Sequence, residues 1–216
     1  PVHLNQLLAR MVDEGCEYCF MEVSSHAIDQ QRIAGLTFRG GIFTNLTHDH
    51  LDYHKTFSAY LQAKKRFFDG LPQGAFALTN KDDKNGPVML QNTQAAKYTY
   101  SLQSMADFRC KLLDNEFSGL HLNINGTEGW FRLIGSFNAY NLLAVYGTAV
   151  LLGQDKTEVM TNLTRMAPVA GRFNYIRSSD NVTAIIDYAH TPDALKNVLE
   201  TLNAIRGHNE QLITVT

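Results

Sequence analysis

The chain has 216 residues, 44% of them hydrophobic, enough to bury one good core and part of a second. It carries 19 Lys and Arg against 21 Asp and Glu, so no global field favours nucleic acid or an anionic membrane, and any phosphate affinity must be local. No apolar run approaches the roughly 18 to 20 residues of a membrane span, and the polar opening LNQLLARMVDEG lacks a signal peptide's pattern. A globular cytoplasmic protein is the expectation.

In chain order, Leu4, Leu7, Leu8, Met11 and Val12 recur at helical spacing and Gly15 follows as a stop signal, which predicts an opening helix. EYCFMEV (17–23) reads as a buried strand, so that Cys16 and Cys19, a CxxC without a second pair to complete a zinc site, are ordinary buried thiols. GIFTN (41–45) reads as a second buried strand. Thr56 to Phe68 reads as a helix burying Phe57, Tyr60, Leu61, Phe67 and Phe68; Gly74 to Thr79 is a third strand, and TNKDDKNG a polar turn. Strands alternating with helices predict a mainly parallel α/β sheet.

From Tyr98 to Leu133 the pattern changes to alternation, as in Leu120, Leu122 and Ile124, and Asn125-Gly126 supplies a hairpin turn, which predicts an antiparallel appendage. Helical periodicity returns from Phe137 to Leu152 and from Lys156 to Leu163. Pro168 and Gly171 punctuate the chain, and a boundary there separates residues 1–168 from 169–216. Beyond it Thr183 to Tyr188 reads as a strand, Pro192 opens a helix to about Ile205, and Gln211 to Thr216 begins another strand. That is an unfinished βαβ unit, and the chain is expected to be truncated.

Two clusters carry chemistry. THDHLDYH (47–54) holds three histidines and two aspartates in eight residues, a density that suits metal or proton chemistry as well as a hydrogen-bonded surface loop. A metallohydrolase run HxHxDH fits His48, His50 and Asp52, but Tyr53 follows and His54 arrives one residue late, which would misplace a zinc ligand. EVSSH (22–26) is expected at the carboxyl end of its strand, where ligands of α/β sheets bind; Glu22 there suits a phosphate-bound magnesium ion, or caps the next helix.

Six stretches in order, EVSSHAIDQQR, GIFTNLTHDHLDYH, YLQAKKRFF, GSFNAYNLLA, GRFNYI and IIDYAHTPDAL, resemble the Mur ligases across essentially the whole chain. EVSSH and DHLDYH favour the MurE type, the UDP-N-acetylmuramoyl-tripeptide synthetases, over sister ligases and folylpolyglutamate synthases. The resemblance implies a P-loop-type central domain over 1–168 with an antiparallel appendage, and the start of a Rossmann-like C-terminal domain over 169–216. It implies ATP-dependent addition of a third amino acid, meso-diaminopimelate or L-lysine, to UDP-N-acetylmuramoyl-L-alanyl-D-glutamate by a monomeric enzyme, with no nucleic-acid or membrane partner.

Position by position, Glu22 and His50 match the family's magnesium ligands, and Lys64 matches a lysine that carbon dioxide converts to a carbamate. Ser24, Gln30 and Arg32 match residues holding the UDP-muramoyl substrate. Asn138 and Asn141, three apart on one helical face, match the adenine side; Arg172 and Asp187 match groups meeting nucleotide phosphate and ribose. His190 falls in the same DYAHTPD stretch, with an orienting role.

The family's Gly-Lys-Thr phosphate loop is expected before residue 1, since no Gly-Lys dipeptide occurs in the chain. By itself the chain is therefore expected to be inactive. The rival readings are a metal-dependent hydrolase built on the His-Asp cluster and a nucleotide- or partner-binding fragment without turnover.

Overall fold

The computed structural model describes residues 2–47, 51–180, 182–207 and 209–215. Six strands, β1 (Gly40–Phe43), β2 (Phe76–Asn80), β3 (Ala96–Ser101), β4 (Phe108–Glu116), β5 (Gly119–Ile124) and β6 (Thr127–Phe131), form one mixed sheet in sequential order. β3 pairs with β4 in parallel, whereas β4, β5 and β6 form an antiparallel meander. The α/β class and the antiparallel appendage expected from the sequence are both present. Asn125 and Gly126 turn the β5–β6 hairpin with φ of 49° and 92°, the left-handed geometry that Asn-Gly tolerates best.

The chain divides into two compact units, Pro1–Gly41 with His50–Ala77 and Pro87–Lys97, and Ile42–Asp49 with Leu78–Gly86 and Tyr98–Thr216. In the first, α1 (Val2–Asp13) ends before Gly15, which takes φ 81° as a helix stop requires. α2 (Ser25–Asp29) is capped by Ser24, whose hydroxyl accepts from the Ala27 N–H at 3.1 Å. After α3 (Leu51–His54), Thr56 caps α4 (Phe57–Asp69), and α4 buries Tyr60, Ala63, Lys65 and Phe68.

Two strand expectations fail. No strand forms over residues 17–23; Tyr18 is 49% and Phe20 71% exposed, and Cys16 and Cys19 are exposed rather than buried. The residue types favour a strand, but a strand exists only through its ladder, and among the described residues none pairs with this segment. Residues 211–215 are likewise not a strand, for the same reason. β8 (Thr183–Ile186) instead pairs antiparallel with β7 (Asn174–Arg177), a strand not anticipated, so the βαβ unit expected from Thr183 onward does not form among the described residues.

The short α5 (Gly86–Met89) follows the polar turn, and in the second unit α6 (Ser136–Leu151) packs on β4 and β5. Leu120, Leu122 and Ile124 alternate onto one fully buried face, and α6 meets it with Ala139, Leu142 and Leu143. Gly147 allows the close approach: a Cβ there would stand 3.0 Å from the Phe108 ring and 3.1 Å from Leu78. α7 (Lys156–Arg165) begins at Asp155, whose carboxylate accepts from the Thr157 and Glu158 N–H groups. A smaller cluster of Ile134, Phe173 and Leu202 joins β7, β8 and α8 (Pro192–Ile205), the last capped by Thr191 with Pro192 in its first turn.

Leu122→Ala should lower unfolding free energy by about 2–5 kcal/mol in urea titration, because the cavity adds to the lost transfer energy. Val145→Ala, at a position 47% exposed on α6, should change it by less than about 0.5 kcal/mol. Similar losses at both positions would mean that the buried face of the sheet is misassigned.

Candidate active site

Serine, histidine and carboxylate groups of the first unit converge where α2, α3 and α4 meet. Ser25 is fully buried and its hydroxyl lies 2.9 Å from His54 Nε2. The His54 ring stacks on Tyr60 of α4 with centroids 5.4 Å apart. His54 thus serves the packing of three helices, which accounts for one histidine of the dense cluster. His48, Asp49 and His50 lie outside the described residues. Among the described residues no three His, Cys, Asp or Glu side chains are placed to hold a metal ion.

Glu22 is exposed, three residues before α2, on extended chain rather than at the end of a strand. Lys64 is half-buried on α4, its ammonium 5.5 Å from the centre of the Tyr60 ring. Its neighbour Lys65, which helical geometry directs about 100° away, is the more buried of the two. Lys65 Nζ donates to both oxygens of Asp69 one turn on, at 2.6 and 2.8 Å. The i, i+4 spacing of Lys65 and Asp69 does not by itself reveal in the sequence that the lysine is buried.

Gln30 and Arg32 are brought together. Arg32 Nε and Nη2 donate to Gln30 Oε1 at 2.9 and 2.5 Å, and Gln30 Nε2 reaches the Tyr53 hydroxyl at 3.5 Å. Tyr53 in turn donates to Asp29 at 2.8 Å, and Arg66 of α4 forms an ion pair with the other Asp29 oxygen. The Arg66 hydrogen bond, then that of Tyr53, holds the Asp29 carboxyl below its usual value of 3.8. Asp29 and Arg66 carried no signal in the sequence: one looks like a helix-end acid and the other like a surface base. An open depression of about 500 Å³ flanks Gln31 and Arg66, and none of the expected site residues lines it.

In the second unit Asn138 and Asn141 occupy the first turns of α6 and are joined, Asn141 Nδ2 donating to Asn138 Oδ1 at 3.1 Å. Asn138 Nδ2 donates back to the Ile134 carbonyl at 2.7 Å, so Asn138 is fixed from both sides while Asn141 is exposed. Arg172, Asp187 and His190 gather at one end of the β7–β8 hairpin. Asp187 accepts from the N–H groups of Phe173 at 2.7 Å and Ala189 at 2.8 Å. It thereby secures Phe173, whose φ of 48° is unusual for a bulky side chain. Arg172 lies over the Tyr188 ring at 5.5 Å, and His190 Nδ1 is 3.0 Å from the Tyr188 carbonyl oxygen.

Comparison with known proteins places this arrangement. The family model described as the Mur ligase middle domain matches residues 1–149, and that of the Mur ligase glutamate ligase domain matches residues 171–216. The chain belongs to the Mur ligase family. A UDP-N-acetylmuramoyl-L-alanyl-D-glutamate--2,6-diaminopimelate ligase of Cytophaga hutchinsonii is 61% identical over 214 residues, 99% of this chain and 44% of that protein. The enzyme of the same description from Parabacteroides distasonis is 60% identical over 215 residues. A solved structure of such a ligase superposes with a TM-score of 0.81 at 32% identity, over 95% of this chain and 44% of its own. A UDP-N-acetylmuramate-alanine ligase from Thermotoga maritima, at 22% identity and TM-score 0.66, shares the fold. This Mur ligase chain thus spans less than half the length of the curated relatives it matches.

Two outcomes follow from the geometry. Lys65→Ala, which leaves the Asp69 carboxylate without its buried partner, should cost about 1.5–3 kcal/mol of stability in chemical denaturation; an unchanged midpoint would remove Lys65 from the framework of α4. Because the folded pKa of Asp29 is depressed, its contribution to stability is present above about pH 3.8 and fades as pH falls through the lower folded value. Carboxyl NMR titration should find an Asp29 midpoint below 3.8 that rises in Arg66→Ala and in high salt. A midpoint indifferent to both would contradict the pairing.

Proposed function

We propose that this chain is the part of a Mur ligase that meets ATP and the UDP-muramoyl dipeptide, in an enzyme that joins 2,6-diaminopimelate to UDP-N-acetylmuramoyl-L-alanyl-D-glutamate. The observation that carries the reading is 61% identity over 99% of the chain to a ligase described by that reaction. The place of work is the cytoplasm and the enzyme a monomer. The boundary near Pro168 separates the central domain from the beginning of the C-terminal one.

In this reading ATP phosphorylates the free glutamyl carboxylate, and an amino group of diaminopimelate displaces phosphate from the acyl phosphate through a tetrahedral intermediate. No enzyme nucleophile is needed; positioning and charge neutralisation carry the reaction. Arg32, oriented by its two hydrogen bonds to Gln30, presents a planar donor fork to an anionic group of the muramoyl substrate, with Ser24 alongside on the same segment. Asn141 and Asn138 read the adenine edge. Arg172 and Asp187 meet phosphate and ribose, and His190 orients that loop.

Glu22, His50 and Lys64 would hold Mg2+. The donor chemistry fits: Glu22 is an exposed hard oxygen donor, and carbamylation of Lys64 converts a cation into an anion with oxygen donors. The resemblance puts the modified position at Lys64, while its neighbour Lys65 is paired with Asp69. When bound, Mg2+ offsets phosphate charge during transfer.

The test is Lys64→Ala in an enzyme of the relatives' full length that carries this chain. Turnover should fall to near zero while the Michaelis constant for the UDP-muramoyl dipeptide changes little, and a short-chain carboxylic acid should restore part of the activity. Wild-type turnover in Lys64→Ala would require the magnesium site to be redrawn.

A further inference from the structure

Asp82 lies in the polar run TNKDDKNG, which as sequence shows only turn chemistry, yet its carboxylate accepts four hydrogen bonds. It accepts from Ser101 Oγ at 2.6 Å, from the N–H groups of Leu102 at 2.8 Å and Gln103 at 3.2 Å, and from the Tyr140 hydroxyl at 3.0 Å. Ser101 ends β3, Leu102 and Gln103 belong to the turn after it, and Tyr140 belongs to α6. The turn is itself ordered: Ser101, 1% exposed, accepts from the Gln103 and Ser104 N–H groups at 3.0 and 2.7 Å. Gln103 Nε2 donates to the same Tyr140 hydroxyl at 3.3 Å.

Tyr140 stands in α6 between Asn138 and Asn141. The apolar contact of α6 with β4 and β5 sets how close the helix lies, but burial is non-directional and leaves rotation and sliding weakly constrained. A charge-assisted hydrogen bond from the first turns to a carboxylate fixed by three further donors supplies the missing direction. We propose that Asp82 and Tyr140 are a positioning pair, which sets the orientation of the Asn138 and Asn141 amides and with it the affinity of the ligase for ATP and its preference for adenine. The inference rests on the reading of those two asparagines as the adenine side.

The protonation state suits the task. Burial, and then the hydrogen bond to Asp82, push the Tyr140 hydroxyl up to about 12, so it remains a donor throughout the neutral range. Tyr100, fully buried on β3, directs its hydroxyl to the Phe43 carbonyl at 3.3 Å. Neither Asp82 nor Tyr140 is assigned contact with the nucleotide.

The experiment measures initial rates with ATP and with GTP in an enzyme of the relatives' full length carrying this chain. It compares Tyr140→Phe, Asp82→Asn, the double variant and Asn141→Ala. Each single change should raise the Michaelis constant for ATP about three- to tenfold, the effect of one lost or misdirected hydrogen bond, and lower the ATP-to-GTP preference. The constant for the UDP-muramoyl dipeptide should hold. The double variant should be no worse than the worse single one, because both act through one contact. Tyr140→Phe keeps the ring and tests the idea even where Asp82→Asn loosens the turn. Additive effects, equal changes in both Michaelis constants, or an unaltered base preference in Tyr140→Phe would overturn the proposal. If Asn141→Ala also leaves the ATP constant unchanged, the adenine reading itself fails; if Asn141→Ala raises it and Tyr140→Phe does not, only the positioning pair fails.

Discussion

The packing of α6 on β4 and β5 is the contact on which the placement of Asn138 and Asn141 depends. Leu120, Leu122 and Ile124 present one face of β5 fully buried, and Leu142 and Leu143 of α6 are buried to the same degree. Burial of a single Leu side chain is worth about 1.5–3 kcal/mol, so this seam outweighs any one polar contact around it. The seam sets how close the helix carrying Asn138 and Asn141 lies; the Asn138 bond to the Ile134 carbonyl and the Asn138–Asn141 bond link the two amides to the start of α6 and to each other. Ile134 in turn belongs to the cluster with Phe173, so apolar packing connects the start of α6 with the turn that carries Arg172.

The first unit works differently, with hydrogen-bonded side chains and helix caps where the second has an apolar seam. Ser24 and Thr56 start α2 and α4, and buried Ser25 meets His54 between them. Lys65 and Asp69 stiffen the last turns of α4, and the Asp29–Arg66 pair ties α4 to the end of α2. An exposed ion pair of that kind adds little stability. Its consequence is geometric, because Asp29, Tyr53, Gln30 and Arg32 form one chain of contacts whose far end is the fork that the ligase reading gives to substrate.

Elements whose signal is local were legible in the sequence. The Asn125-Gly126 hairpin, the helix opened by Pro192 and the helix stopped at Gly15 need only nearby residues, and each stands where periodicity and turn chemistry put it. What needs distant partners was not legible. EYCFMEV has strand composition but no ladder among the described residues, so Phe20 is exposed where alternation and apolarity suggested a core. The pairing of β7 with β8 was not anticipated, because a ladder between two segments leaves no local pattern in either. Motif order singled out Gln30, Arg32, Asn138 and Asn141 as candidates, whereas the contacts of Asp29, Lys65, Asp82 and Tyr140 became visible only in the structure, since nothing in their spacing separates them from ordinary surface polar residues.

The central claim concerns the reaction, and product analysis addresses it most directly. An enzyme of the relatives' full length carrying this chain would be given ATP, Mg2+, UDP-N-acetylmuramoyl-L-alanyl-D-glutamate and either 2,6-diaminopimelate or lysine, with products followed by mass spectrometry. The account predicts ATP-dependent tripeptide with diaminopimelate, with ADP and phosphate released one for one. Tripeptide formed with lysine and not diaminopimelate would contradict the substrate assignment, and hydrolysis without ATP, with no amide formed, would contradict the ligase reading.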